Sequence, residues 1–200
     1  MKKLNVLALV LAFAATAAQA REYVIDGAHS SANFKIRHLI SKTAGTFNEF
    51  SGDFSFDDKS PKAFQGEFTI KAASINTNNT KRDDHLRGPD FFNVQKFPTL
   101  SFKAKEMKPA GKSKYKLLGD FTMLGVTKPV TFDVEYTGAA KDPWGTEKVG
   151  FTAVTKINRK DWGMVWNKML DTGGVMLGDD VEIDIQVEGN AKQATSGAKK

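Results

Sequence analysis

Between residues 32 and 187 the sequence alternates apolar and polar residues with a period of two, over and over. Successive side chains of a β-strand point to opposite faces, so this pattern marks strands with one buried and one wet face. Ala32, Phe34, Ile36 and His38 share one face, with Asn33, Lys35 and Arg37 on the other. The same reading holds for residues 50–56, 64–70, 100–104, 117–123, 130–136, 149–155 and 181–187. The count comes to about eight strands. Turn-forming residues separate them at 57–61, 109–111, 125–129 and 142–145. Two stretches break the rhythm. At 76–98, Thr80 to Asp83 reads as a helix start and 83–92 as one or two helical turns, broken at Gly88-Pro89. At 161–174 the strand pattern is lost among Trp162, Met164, Trp166 and Met169.

Strands with a single apolar face bury it either in a sandwich or in a closed barrel. Sequential hairpins favour the barrel. So do glycines at inward positions (Gly52, Gly66 and Gly119), where the missing side chain leaves room for sharp coiling or for a guest. A barrel set in an outer membrane would have its exterior apolar, forcing Lys35, Arg37, Lys103, Lys105, Glu182 and Asp184 into a narrow lumen, which argues against that version. An eight-stranded barrel encloses just enough space for side chains or for one small ligand. Periodicity does not tell a filled interior from a hollow one.

The first residues are set apart from the fold. Lys2 and Lys3 precede an apolar run over 4–15, and Ala18-Gln19-Ala20 fits a signal-peptidase site. The expected organisation is a signal peptide at 1–20, cut after Ala20, a barrel domain at 21–190 and a flexible tail at 191–200, with export to an oxidising compartment. The chain has no cysteine, which excludes thiol catalysis and thiolate metal sites. Its net charge of +6 falls to +4 without Lys2 and Lys3 and is spread along the chain, which does not resemble the basic stripe of a nucleic-acid binder. Fifteen phenylalanines against three tyrosines and three tryptophans give an interior with few hydroxyls.

Residues that could carry chemistry are sparse. His29, His38 and His85 lack the spacing of a paired metal site, and neither a nucleophile elbow nor a phosphate loop appears. The densest ionic cluster is Arg82-Asp83-Asp84-His85 with Arg87, which suits either a head-group site or a salt-bridged turn that pins the insertion. Asp57-Asp58 and Asp179-Asp180 read as solvated turn residues. The apolar constellation says more. Phe34, Ile36, Phe54, Phe68, Ile70, Phe102, Phe121, Phe132 and Phe151 fall on the inward face. Phe91, Phe92, Met123, Trp162, Met164 and Trp166 add bulk beyond what the strands need, and Met and aromatic groups make adaptable walls for a flexible ligand.

Several of these residues also stand in a recognisable order. They include Tyr23-x-x-Asp26 with His29-Ser30, Phe34-x-Ile36-x-His38, Gly45-Thr46-Phe47 and Ser74-Ile75-x-Thr77. Arg82-Asp83-x-His85-Leu86-Arg87, Asp90-Phe91-Phe92, Phe97-Pro98, Gly119-Asp120-Phe121-Thr122 and Gly150-Phe151 follow, then Asn158-Arg159-x-Asp161-Trp162-Gly163. On these motifs the chain resembles the YceI-like family of periplasmic polyisoprenoid-binding proteins over residues 22–189. The resemblance implies an all-β, lipocalin-like eight-stranded antiparallel barrel with a short helical insertion and a long internal tunnel. It implies a polyprenyl, quinone-like or fatty-amide lipid as cargo, no other cofactor, no metal, no catalytic residues and frequent homodimerisation. The expected tunnel wall is the apolar set above, with His38, Arg82, Asp84 and His85 as head-group or structural polar residues. Two rivals make different demands. A lipid head-group enzyme would use His85 with Asp83 or Asp84 as acid and base. A protein-interaction module would show an exposed apolar patch.

Overall fold

The computed structural model describes residues 20–171 and 173–193. All but the last residue of the expected signal peptide and all but the first residues of the expected tail lie outside them. Among the described residues the strands are β1 (Arg21–Ile25), β2 (Ser31–His38), β3 (Ser41–Phe47), β4 (Phe50–Phe56), β5 (Gln65–Lys71) and β6 (Ile75–Asn76). The remainder are β7 (Thr99–Gly111), β8 (Lys114–Met123), β9 (Val126–Lys141), β10 (Glu147–Asn158) and β11 (Leu177–Ala191), and one α-helix, α1 (Thr80–Arg87), precedes β7.

All pairings are antiparallel, and β1, β4, β5, β7, β8, β9, β10 and β11 close into an eight-stranded ring through the β1–β11 pair. The larger strand count has a simple origin. β1 and β2 are two halves of one long strand, as are β3 and β4, and β5 and β6: β1 pairs with β4, β2 with β3, β4 with β5 and β3 with β6. The breaks lie side by side. Asn48 N–H donates to Ser74 O, Glu49 N–H to Ser74 Oγ, and Ser74 Oγ to Lys71 O. Beyond this shared bend β2, β3 and β6 continue the sheet from β11, β6 has no further strand partner, and α1 packs beside it.

The third break, between β1 and β2, is fastened by charge. Lys148 Nζ donates to Asp26 at 3.1 Å, Glu188 at 2.6 Å and Asn190 at 2.8 Å, and His29 Nδ1 sits 3.0 Å from Asp26. Hydrogen bonds from His29, and then from Lys148, hold the Asp26 carboxyl well below the usual carboxylate range against the opposing effect of its burial. Asp26, His29 and Glu188 cluster as metal ligands might, but the Lys148 ammonium takes the place a cation would fill.

Several expectations change. β1 and β3 carry too few large apolar groups to announce themselves, β3 presenting only Thr43, Gly45 and Phe47 inward. The turns at 109–111 and 125–129 shift: β7 runs through Gly111, and β9 starts at Val126, after a two-residue hairpin in which Leu124 (φ 53°) and Gly125 (φ 73°) adopt the left-handed conformation of such turns. β11 runs on to Ala191, held by Tyr23, so the strand reaches into the expected tail. Asp179 and Asp180 are strand residues of β11 rather than turn residues, paired with Lys160 and Lys156.

The inward glycines hold the main correction. They leave no room for a guest, because phenylalanine rings already lie across them. A Cβ added at Gly52 would sit 2.5 Å from Phe68, one at Gly66 2.8 Å from the same ring, and one at Gly189 2.5 Å from Phe54. Gly45 is covered in the same way by Phe34, and Gly119 by Phe102. This is aromatic rescue of strand glycines.

Gly119→Ala would also meet the Lys103 carbonyl oxygen at 2.5 Å, a backbone atom that cannot swing aside. It is expected to cost about 1–3 kcal/mol in urea unfolding, whereas Gly27→Ala, with open space around it, should stay within about 0.5 kcal/mol. Asp26→Asn should be less stable than the parent at neutral pH. A depressed folded-state pKa stabilises above the ordinary carboxylate range and loses its effect as pH falls toward the folded value. The gap between the two proteins, followed by denaturant titration, should therefore shrink as pH drops below about 4.

Candidate functional site

The ring encloses a cavity of about 490 Å³ whose wall is almost wholly apolar. That volume lies inside the range of about 300–1,000 Å³ found for small-molecule sites. Strand alternation supplies most of the wall, and the rings lying over glycines explain how so many phenylalanines line a barrel without filling it. Pointing at the axis, they would meet across a lumen this narrow.

The two ends differ. At the β1 end, Phe56 packs on Phe151 (4.9 Å between centroids), Tyr136 (5.1 Å) and Tyr115 (6.3 Å), while Tyr23 stacks on Phe54 at 5.3 Å. Tyr23, Phe56 and Tyr115 are buried and lie behind the cavity wall, so this aromatic plug closes that end. Burial raises the pKa of Tyr23 and Tyr136 and keeps the plug uncharged. The opposite end opens between α1, the β2–β3 hairpin and residues 163–171 and 173–177. There the exposed Lys81 and Arg82 contribute to the wall together with His38, His85, Trp166, Met176 and Leu177. The interior is therefore a blind pocket with one mouth, where the resemblance implied a tunnel.

Of the expected apolar wall, Phe34, Ile36, Phe54, Phe68, Ile70, Phe91, Phe92, Phe102, Phe121, Met123, Phe132, Phe151, Met164 and Trp166 all line the cavity. Trp162 does not. It is buried behind the wall, 5.5 Å from Phe121, with its indole N–H donating to Phe121 O at 3.2 Å. A buried indole needs an acceptor, and the backbone at the end of β8 offers one outside the lumen. Of the polar candidates, His38, Arg82 and His85 line the mouth, but Asp84 faces away and pairs with Arg87 at 3.0 Å.

The ionic cluster of α1 holds the insertion in place. Asn79 caps the helix by accepting from Arg82 N–H, and the buried Asp83 accepts from Thr77 N–H at 2.9 Å and Thr77 Oγ1 at 2.5 Å. Arg82 donates to Thr77 Oγ1 and Thr77 O, and Arg87 to Ala73 O and Ile75 O. His85 is bonded at 2.9 Å to Asp90, not to Asp83 or Asp84, and its ring meets Phe91 and Trp166 edge-on. The acid–base pair that a head-group enzyme would draw from His85 and Asp83 or Asp84 is thus not assembled.

Residues 23–189 match the YceI-like domain. The chain belongs to the YceI-like family. It is 40% identical over 197 residues to a UPF0312 protein of Shewanella sp. (strain MR-7), covering 96% of this chain and all of the relative. A UPF0312 protein of Yersinia pestis (strain Pestoides F) is 42% identical over 182 residues, 90% of this chain and 91% of its own. Among solved structures, the Campylobacter jejuni YCEI protein superposes with a TM-score of 0.68 at 38% identity, over 78% of this chain and 90% of that one. A polyisoprenoid binding domain from Saccharophagus degradans, 13% identical, shares the fold with a TM-score of 0.65, over 85% of this chain and 98% of its own.

Within this YceI-like barrel, sequence reasoning passed over Arg159. It is 1% exposed, donates through Nε to Gly178 O (3.0 Å) and through Nη1 to Met164 O (2.8 Å), and forms part of the cavity wall at the mouth. Its Nη2 has no hydrogen bond, and Asp179 lies 3.7 Å away. Burial lowers the pKa of its guanidinium, partly offset by Asp179. The motif Asn158-Arg159-x-Asp161-Trp162 was the only available sign, and nothing in it tells a buried arginine from a surface one. Arg159→Met leaves the Met164 and Gly178 carbonyls without their donor. A loss of about 2–4 kcal/mol in urea unfolding is expected, with Arg159→Lys recovering part of it.

Proposed function

We propose that this protein binds one long isoprenoid-like lipid, of the polyprenyl or quinone type, in its cavity and performs no reaction on it. The observation that carries this reading is the blind, apolar interior with a single polar-edged mouth. A chain lying along the wall displaces water from apolar surface on every side, at about 0.8 kcal/mol per buried CH₂. A guest with some 20 buried carbons could gain on the order of 16 kcal/mol before association and ordering costs of several kcal/mol. With one end plugged, the tail enters first and the head group stays near His38, Arg82, His85 and Arg159. Affinity then depends mainly on buried length, and selection of the head group is weak.

Two further points support the reading. The Saccharophagus degradans neighbour is described as a polyisoprenoid binding domain, and it shares the barrel. His85 at the mouth is bonded to Asp90 and not to Asp83 or Asp84, so the acid–base pair expected of a head-group enzyme is not the one present. A carrier exported by the expected signal peptide would work in the periplasm, where an apolar lipid needs shelter from water.

Native mass spectrometry of the purified protein, followed by solvent extraction, tests the reading directly. A discrete added mass that extracts as an isoprenoid or quinone is expected. A lipid-free mass that stays unchanged on incubation with polyprenyl lipid would overturn it. Ala153 faces the cavity from β10 between Val134 and Ile185. Ala153→Trp should fill the lumen and reduce lipid loading by at least about tenfold, with the barrel's circular dichroism preserved.

A further inference from the structure

The β2–β3 hairpin turns on two residues, Leu39 and Ile40, with His38 paired to Ser41. Two-residue hairpin turns favour Gly, Asn or Asp because they need positive φ. Leu39 has φ 51°, and Ile40 is fully exposed. Two large apolar side chains thus occupy a strained turn and reach into solvent, where neither the turn nor the core uses them. They are not isolated. Leu39 N–H donates to Met176 O, Met176 N–H donates to Lys168 O, and Met169, itself 71% exposed, bridges Val175. Val165, 63% exposed, lies on the same segment next to Trp166. Because His38, Trp166 and Met176 line the cavity, this apolar rim borders its mouth.

The unpaired charge beside the rim is mostly positive. Arg37, Lys81, Arg82 and Lys168 have no carboxylate within ion-pair distance among the described residues, and Asp171 is the unpaired acid nearby. On the barrel wall, by contrast, Lys103, Lys105 and Lys156 are each matched by Glu67, Asp120 and Asp180. A second copy of the chain fits the rim poorly, since a two-fold interface would set these cations against their own copies. An anionic bilayer complements both features, with apolar tips entering the head-group layer and cations meeting lipid phosphates.

We infer that the mouth rim docks on the surface of an anionic lipid bilayer, with Leu39 and Ile40 inserted. This rests on the lipid-binding reading above: a docked mouth lets an apolar chain move between bilayer and cavity without crossing water.

Co-sedimentation of the purified protein with phosphatidylglycerol/phosphatidylethanolamine vesicles, against phosphatidylcholine vesicles, tests it. Binding to the anionic vesicles is expected, weakened at high salt, and reduced about tenfold or more in L39S/I40S. That variant changes only an exposed turn, so its fold and its lipid loading by native mass spectrometry should match the parent. Absence of binding by the parent, or equal binding by the variant, overturns the proposal. So does a parent dimer that L39S/I40S abolishes without any vesicle binding, which would make the rim a self-association surface. Vesicle binding by a protein that never takes up lipid would instead sink the cargo reading and leave the docking surface standing.

Discussion

Phenylalanine rings laid across inward glycines make this interior what it is. Phe34 over Gly45, Phe68 over Gly52 and Gly66, Phe102 over Gly119 and Phe54 over Gly189 turn large side chains into a lining rather than a filling. Each ring keeps its contact with the sheet, which satisfies dispersion and covers backbone that glycine leaves bare. The space near the axis is what remains. A side chain larger than hydrogen at any of these glycines would tip a ring inward, so cavity and wall depend on the same contacts.

A second constraint decides where the cavity opens. The first three long strands bend at neighbouring points, fastened by Ser74 between β4 and β5 and by the Asp26–Lys148–Glu188 network between β1 and β11. The ring shuts on one side of that bend over an aromatic plug. On the other side β6 has no strand partner beyond β3, and α1, tied down through Thr77, Asp83 and Arg87, packs beside it. Polar residues of α1 and the β2–β3 hairpin reach the cavity at that end, while buried aromatic rings close the other. An amphiphile entering such a vessel has its orientation fixed by solvation alone.

Much of this was legible in the chain. The period-two pattern identified the strands with long apolar runs, and with them the inward face, because alternation reports burial directly. It lost β1 and β3, whose inward residues are small or few. It also misjudged the glycines. A missing side chain looks like free space in a sequence, and only the neighbouring strand shows that a ring already occupies it. Trp162 was assigned to the wall on bulk alone, although its indole N–H is drawn to a backbone acceptor behind the wall. The cluster at 82–85 could be read either as a site or as an anchor, and although Thr77 and Asp90 stand in the motifs, nothing local pairs them with Asp83 and His85.

The sequence by itself determined the class of fold, the apolar face and many of the large groups on the cavity wall, since those follow from local alternation and side-chain chemistry. Tertiary structure alone decided that the barrel is hollow, that one end is sealed, and that Arg159 is buried while Leu39 and Ile40 are exposed. These outcomes depend on which strand lies beside which and in what register, and no local pattern encodes the distance between residues brought together only by ring closure.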